Sequence, residues 1–114
     1  MSFNQIFASL AIAGTFDAPK TAAYSAKPED CVIFCDPTGG AFTVTLPSRA
    51  FTEAGKFYVI ANVSTSTTAI TIATEGSELI NGAASVTVNA SREWVIVITD
   101  GNNDAVAVQL TIPG

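Results

Sequence analysis

Residues 92–112 read REWVIVITDGNNDAVAVQLTI, and this stretch decides the fold class. Apolar and β-branched residues fill Arg92–Thr99 and Ala105–Ile112, and such residues suit the pleated surface of a strand. The segment Asp100–Asp104 between them is made of Asp, Gly and Asn, which are typical of tight turns. The stretch therefore predicts a β-hairpin. Both faces of its first strand carry apolar side chains, so we expect that strand to be covered on both sides.

The same strand pattern recurs from about Thr21 onward. Five further runs are rich in Val, Ile, Thr, Phe and Tyr, namely Cys31–Asp36, Ala41–Leu46, Lys56–Val63, Ala69–Thr74 and Ser85–Val88. Turn residues separate the runs, among them Asn81-Gly82, a strong hairpin signal. Strands that recur every 8–12 residues or so predict an all-β fold, either an antiparallel β-sandwich or a jelly-roll-like barrel.

The first residues of the chain have a different pattern. Four large apolar residues fall on one face of a helix: Phe3, Ile6, Phe7 and Leu10. Residues 8–16 can equally be written as an alternating strand. We therefore expect an extended or short-helical N-terminal arm at residues 1–18 and a single β-domain at residues 19–114. The arm either packs on that domain or leaves it to bind another subunit.

Composition excludes several classes of function. The chain has 114 residues, of which 48% are hydrophobic and 13% charged, and its formal net charge is −5. Five basic residues cannot form the basic stripe that nucleic-acid binding needs. The absence of His removes the commonest general base and most zinc sites. The apolar start lacks the basic residues of a secretory signal and is too short to span a membrane, so we expect a protein that is neither exported by a recognisable route nor membrane-bound.

Three carboxylate pairs are candidates for catalysis. They are Glu29/Asp30, Glu75/Glu78 and Asp100/Asp104. All three pairs coincide with turns, where acidic side chains are solvated or accept hydrogen bonds from backbone amides. The Asp100–Asp104 segment matches the start of a calcium loop, but Ala105 stands where that loop needs Gly, so a hairpin turn explains it better. We predict no enzymatic activity, no cofactor and no metal site.

Two cysteines, Cys31 and Cys35, bracket a run of three apolar residues. If the run is extended, their Cα atoms lie about 13 Å apart, twice the span of a disulfide. Both side chains would then point to one face of the sheet, where a free cysteine packs as a small hydrophobic residue. A bridge through a turn or between subunits stays open as an alternative.

The order of short motifs resembles a small β module found in bacteriophage tail fibres, head fibres and capsid decoration proteins. The motifs span about Thr21 to Val108 and are Asp30…Asp36-x-x-Gly39…Val44-x-Leu46-Pro47, Gly55-Lys56-x-Tyr58-x-Ile60-x-Asn62, Ile70-Thr71-Ile72, Ile80-Asn81-Gly82 and Trp94-Val95-Ile96…Asp100-Gly101-Asn102. The resemblance implies a non-catalytic virion protein and a homotrimer. Because the module fills nearly the whole chain, a capsid decoration (cement) protein is the closer match.

This resemblance predicts a location and partners. The protein would be made in the host cytoplasm and would lie on the capsid surface of the virion. Its arm would contact the major capsid protein through Phe3, Ile6, Phe7 and Leu10. The alternative is a tail-fibre-type module that recognises host surface glycans through loop tips such as Ser64–Thr68 and Asp100–Asp104. In the second loop tip the candidate residues are Asp100, Asn102, Asn103 and Asp104.

Overall fold

The computed structural model describes residues 18–110 of the chain. This part contains nine strands and two short 3-10 turns. The strands are β1 Tyr24–Ser25, β2 Val32–Cys35, β3 Phe42–Leu46, β4 Ala54–Asn62, β5 Ile70–Thr74, β6 Leu79–Ile80, β7 Ser85–Val88, β8 Trp94–Asp100 and β9 Asp104–Leu110. The 3-10 turns are Pro37–Gly39 and Ser48–Thr52. All seven strands predicted from the sequence are present, and the two-residue strands β1 and β6 are additional.

The strands form two sheets. One has four strands in the order β1-β3-β5-β7, and the other has five in the order β2-β4-β8-β9-β6. From β1 to β5 the chain alternates between the two sheets, so that each connection crosses from one sheet to the other. The β-rich fold class is therefore confirmed.

The prediction of antiparallel sheets is wrong, because both sheets are mixed. Among the strand pairs of residues 18–110, four are parallel and three are antiparallel. A parallel pair needs a long crossover connection, which is usually a helix. Here the crossover from β2 to β4 runs through β3, which is a strand of the other sheet.

One hydrophobic core among the described residues contains side chains from both sheets. Strand alternation places Phe42, Val44 and Leu46 of β3 in this core, as the sequence predicted. The five-stranded sheet contributes Tyr58 and Ile60 of β4, and both are fully buried. Every buried side-chain polar atom among the described residues has a hydrogen-bond partner.

The predicted arm at residues 1–18, with Phe3, Ile6, Phe7 and Leu10, lies outside the described residues except for its last position. At that boundary the chain joins the edge of the five-stranded sheet. The Lys20 amide donates to the Phe34 carbonyl at 2.8 Å, and the Asp36 amide donates to the Lys20 carbonyl at 2.8 Å. Within residues 18–110 the structure contains no helix long and apolar enough to cross a membrane.

Candidate interaction surface

The five-stranded sheet carries apolar side chains on both of its faces. In β8, Val95 and Val97 belong to the core. Strand alternation therefore turns Trp94, Ile96 and Ile98 to the outer side. Residues in register on β2, β4 and β9 share that side, and together they form what we name the outer apolar face: Val32, Phe34, Phe57, Val59, Ala61, Trp94, Ile96, Ile98, Val106, Val108 and Leu110.

These side chains form three rows across the strands, and none of them is charged. The rows are Phe57–Ile98–Val106, Val32–Val59–Ile96–Val108 and Phe34–Ala61–Trp94–Leu110. With strands about 4.8 Å apart and residues rising about 3.3 Å, such a four-stranded area measures roughly 400 Å² of flat sheet. Contiguous apolar surface that is exposed on a small protein is frequently functional.

Exposure is highest at the β8–β9 side of the outer apolar face. Val106 is 60% exposed, Val108 54%, Ile98 41% and Leu110 39%. Val59 of β4, by contrast, is only 5% exposed although it is not part of the core between the sheets. The prediction that the strand Arg92–Thr99 is covered on both sides is therefore wrong on its outer side, where Ile98 remains accessible.

The outer side of the four-stranded sheet has the opposite character. Its side chains are small and mostly hydroxyl-bearing, in the rows Thr43–Thr71–Thr87 and Ser25–Thr45–Ala73–Ser85. We name this surface the hydroxyl face. The two outer surfaces thus differ sharply, because one matches ordinary solvent-facing strands and the other resembles a protein interior.

A β-bulge holds β4 in register with β8 at one end of the outer apolar face. The pairing shifts between Ala54 and Phe57, and Gly55 adopts a φ of 81° there. The buried Thr99 hydroxyl donates to the Glu53 carbonyl and accepts from the Lys56 amide at 3.1 Å. The bulge lets Phe57 pair with Ile98 and lie on the outer side.

Buried polar side chains organise the loops at the other end. Asn62, 3% exposed, donates to the Ser66 carbonyl at 2.9 Å and to the Ala90 carbonyl at 3.1 Å. Its Oδ1 accepts from the Ser64 amide at 2.9 Å. The Glu93 carboxylate accepts from the amides of Asn89 and Ala90. These contacts order the segment Ser64–Thr68, which the sequence offered as a loop tip for binding.

The predicted Asp100–Asp104 turn is confirmed as the hairpin between β8 and β9. Asp100 Oδ1 accepts from the Asn102 amide at 2.7 Å and from the Asp104 amide at 3.2 Å, and Asn103 has a φ of 65°. The Asp100 carboxylate is therefore part of the turn itself. Because β4 pairs Ala54 with Asp100 and Ala61 with Trp94, this turn and Ser64–Thr68 lie at opposite ends of the sheet and do not form one site.

The other two carboxylate pairs also serve turns. The Asp30 carboxylate accepts from the Tyr24 hydroxyl at 2.6 Å and from the Lys27 amide at 2.8 Å. Glu75 accepts from the Ser48 amide at 3.1 Å, and Glu78 accepts from the Gly76 amide at 3.0 Å. No group of three or more potential metal ligands occurs in the described part of the chain.

Both cysteines are free thiols. Cys35 is fully buried in the core, as predicted, and burial raises its pKa to about 12 against a smaller opposing effect of Lys20. Cys31 is half-buried just before β2 begins, and burial also raises its pKa, partly offset by Lys56. A raised pKa disfavours the thiolate, so neither cysteine has the properties of a nucleophile.

No protein-family model and no curated protein sequence matches this chain. The outer apolar face is therefore identified from the strand register of this chain alone. The sequence indicated it only in part, through the apolar character of both faces of Arg92–Thr99. A second signal that could have predicted it is the alternation of Val106 and Val108, which follows the same outward periodicity in the next strand.

Proposed function

We propose that this protein is a structural protein that works through protein–protein contacts and not through catalysis. The outer apolar face supports this proposal most directly. A contact that buries exposed Val and Ile side chains gains about 25 cal/mol of free energy for each Å² of apolar surface removed from water. A partner that covers this surface therefore stabilises both itself and the chain.

The setting we propose is the head of a bacteriophage. The motif order from about Thr21 to Val108 resembles that of capsid decoration modules, and the mixed two-sheet architecture is compatible with a sandwich in such a module. On this proposal the protein is a homotrimer on the capsid surface, made in the host cytoplasm. The apolar residues of its arm, Phe3, Ile6, Phe7 and Leu10, contact the major capsid protein.

Protein copy number in purified particles tests the setting. Quantitative mass spectrometry against the major capsid protein should find the two chains in comparable amounts. A small fraction of that amount would instead favour a tail location and the glycan-binding alternative through Asp100, Asn102, Asn103 and Asp104. Absence from particles would overturn both proposals.

Attachment through the arm has its own test. A variant in which Phe3, Ile6, Phe7 and Leu10 are all replaced by Ser should remain folded and lose its occupancy on particles. The matched control replaces Asn4 and Gln5 by Ser in the same segment and should keep full occupancy. Equal occupancy of the two variants would contradict the role of the apolar residues.

A further inference from the structure

We propose that Asn81 is a deamidation site whose rate is controlled by β9, because the side-chain amide that reacts is bound to the β9 backbone. The conversion replaces the amide by a carboxylate and lowers the stability of the folded chain. This inference goes beyond the proposed function. It rests on the turn at Asn81-Gly82 and does not depend on the virion setting or on the outer apolar face.

The sequence places Asn81 next to the residue that favours this reaction most. Deamidation begins when the backbone nitrogen of the following residue attacks the side-chain amide carbon of Asn. Gly82 has no side chain to obstruct that approach, and glycine has the most permissive backbone. Asn81-Gly82 is the one Asn-Gly pair in the sequence, since every other Asn precedes Gln, Val, Ala, Asn or Asp.

The turn leaves the attacking nitrogen accessible. The Ile80 amide donates to the Ala83 carbonyl at 2.7 Å, and the Ala83 amide donates to the Ile80 carbonyl at 3.0 Å. These two bonds close the turn without using the Gly82 N–H. Asn81 and Gly82 are both exposed, and a Cβ at Gly82 would meet no atom within 4 Å. Water can therefore reach the turn, and ammonia can leave it.

The reaction needs water and no other reagent. In the first step a bond forms between the Gly82 nitrogen and Asn81 Cγ, and the bond between Cγ and Nδ2 breaks. The proton that the Gly82 nitrogen loses leaves with Nδ2 as ammonia. The cyclic imide that remains then takes up one water molecule, which opens the ring at either carbonyl. The product is aspartate or isoaspartate at position 81.

β9 holds the side-chain amide in an unreactive arrangement. Asn81 Nδ2 donates to the Ala107 carbonyl at 3.0 Å, and Oδ1 accepts from the Ala107 amide at 2.9 Å. Nδ2 must leave as ammonia while the Gly82 nitrogen approaches Cγ, so the reaction starts from conformers in which these bonds are open. We expect the folded chain to react at least about tenfold more slowly than the unfolded chain, because two hydrogen bonds must open first.

The product lacks the donor that β9 uses. A carboxylate at position 81 has no N–H for the Ala107 carbonyl, and it places a second acceptor beside that carbonyl. A backbone acceptor that loses its partner in this way destabilises the folded state. Within residues 18–110, β6 pairs with β9 only at Asp104 and Ala105. The conversion therefore weakens the edge of β9 just past its pairing with β6.

Conversion rates in the full chain and in a peptide of residues 77–85 test the control by β9. Both are incubated at about pH 8.5 and 37 °C, and mass spectrometry measures the fraction in which the side-chain amide has become an acid. We expect Asn81 to convert at least about tenfold more slowly in the full chain, since the peptide has no β9. Unfolding the full chain in urea should restore the rate of the peptide. Equal rates in the folded chain and the peptide would overturn the proposal.

Two variants of the peptide test whether the Gly82 nitrogen is the attacking group. Gly82→Ala places a methyl group beside that nitrogen and should slow the conversion of Asn81 several-fold. Ala83→Gly, one residue further along, is the matched control and should convert like the unaltered peptide. Folding does not enter this comparison, because the peptide lacks the rest of the chain. Equal rates in the two variants would show that the reaction does not proceed through the Gly82 nitrogen and would overturn the assignment.

Asn81→Asp in the full chain reproduces the aspartate product and tests its effect. We expect the thermal midpoint to fall by at least about 3 °C, because the Ala107 carbonyl loses its donor. Asn89→Asp makes the same isosteric change at an exposed position, and about 0.15 M salt screens the added charge in both variants. Equal midpoints would contradict the effect assigned to the product. Failure of Asn81→Asp alone to fold, judged by circular dichroism, would be a larger loss of the expected sign.

Discussion

Asn62 is a buried amide on which two loops depend. It supplies donors to the carbonyls of Ser66 and Ala90 and an acceptor to the amide of Ser64. Asn62→Ala leaves these backbone groups without that partner, so we expect a loss of about 2–3 kcal/mol in the free energy of unfolding. Urea denaturation measures this loss, with Asn89→Ala at an exposed neighbouring position as the control. A loss equal to that of the control would contradict the role.

Burial of the Cys35 thiol makes the free energy of unfolding depend on pH. Its folded pKa is raised to about 12 by burial, above the value in the unfolded chain. The folded state therefore holds the proton more tightly, and this contribution to stability is complete below about pH 9 and is lost as the pH rises toward 12. Burial raises the pKa of the Tyr58 phenol in the same direction, with the Asp30 carboxylate adding to the effect.

The measurement is the urea midpoint at pH 7.5, 9 and 10.5. We expect it to fall with pH in the unaltered chain and to fall less in Cys35→Ala, which lacks the titrating group. Cys31→Ala, at the half-buried position, should behave more like the unaltered chain. An identical pH dependence in Cys35→Ala and the unaltered chain would be the contrary result.

At the level of single residues, the sequence predicts burial better than exposure. Alternation in Ala41–Leu46 correctly predicts which side chains enter the core, since period two is all that a strand requires. Alternation in Arg92–Thr99 shows two apolar faces but cannot show that only one of them has a neighbour. That depends on the placement of the second sheet, which lies on the side of Val95 and Val97.

At the level of single elements, replacing two glycines by Ala distinguishes the cost of backbone strain from the cost of a steric clash. Gly55 in the bulge has a φ of 81° and Gly101 in the β8–β9 turn has a φ of 79°. A Cβ at Gly55 would meet open space, whereas a Cβ at Gly101 would lie 2.9 Å from the Ala54 backbone nitrogen. Gly55→Ala should therefore cost only the left-handed conformation, about 1–2 kcal/mol, and Gly101→Ala at least about 1 kcal/mol more. Equal losses in urea denaturation would contradict this account.

The Asn81 side chain forms hydrogen bonds with the backbone of β9, as a residue of a neighbouring strand would. Its side-chain amide donates to the Ala107 carbonyl at 3.0 Å, and its Oδ1 accepts from the Ala107 amide at 2.9 Å. Asn81→Gly retains the positive φ of 54° and removes only these two bonds. We expect hydrogen exchange to become faster at Ala107 and to stay unchanged at Val97, on the far side of the β8–β9 pair. Unchanged exchange at Ala107 would show that the amide does not protect this edge.

Strand partners could not be predicted from the sequence, although the strands could. The local turn signal at Asp100–Asp104 correctly predicted a hairpin. The signal at Asn81-Gly82 forms a tight turn closed by a single bridge between Ile80 and Ala83, but it joins no hairpin because β6 and β7 belong to different sheets. The parallel pair of β2 and β4 joins segments separated by a strand of the other sheet, and no local signal encodes it. The short strand β6 was missed for the same reason, because two residues carry no periodicity and its partner β9 lies far along the chain.

For the whole molecule, the proposed homotrimer predicts a thermal midpoint that depends on protein concentration. Copies in contact must separate when they unfold, so mass action stabilises the folded state at higher concentration. For a chain of 114 residues, a tenfold increase should raise the midpoint by about 2–6 °C above the association threshold. A midpoint that does not change with concentration would contradict the proposed homotrimer.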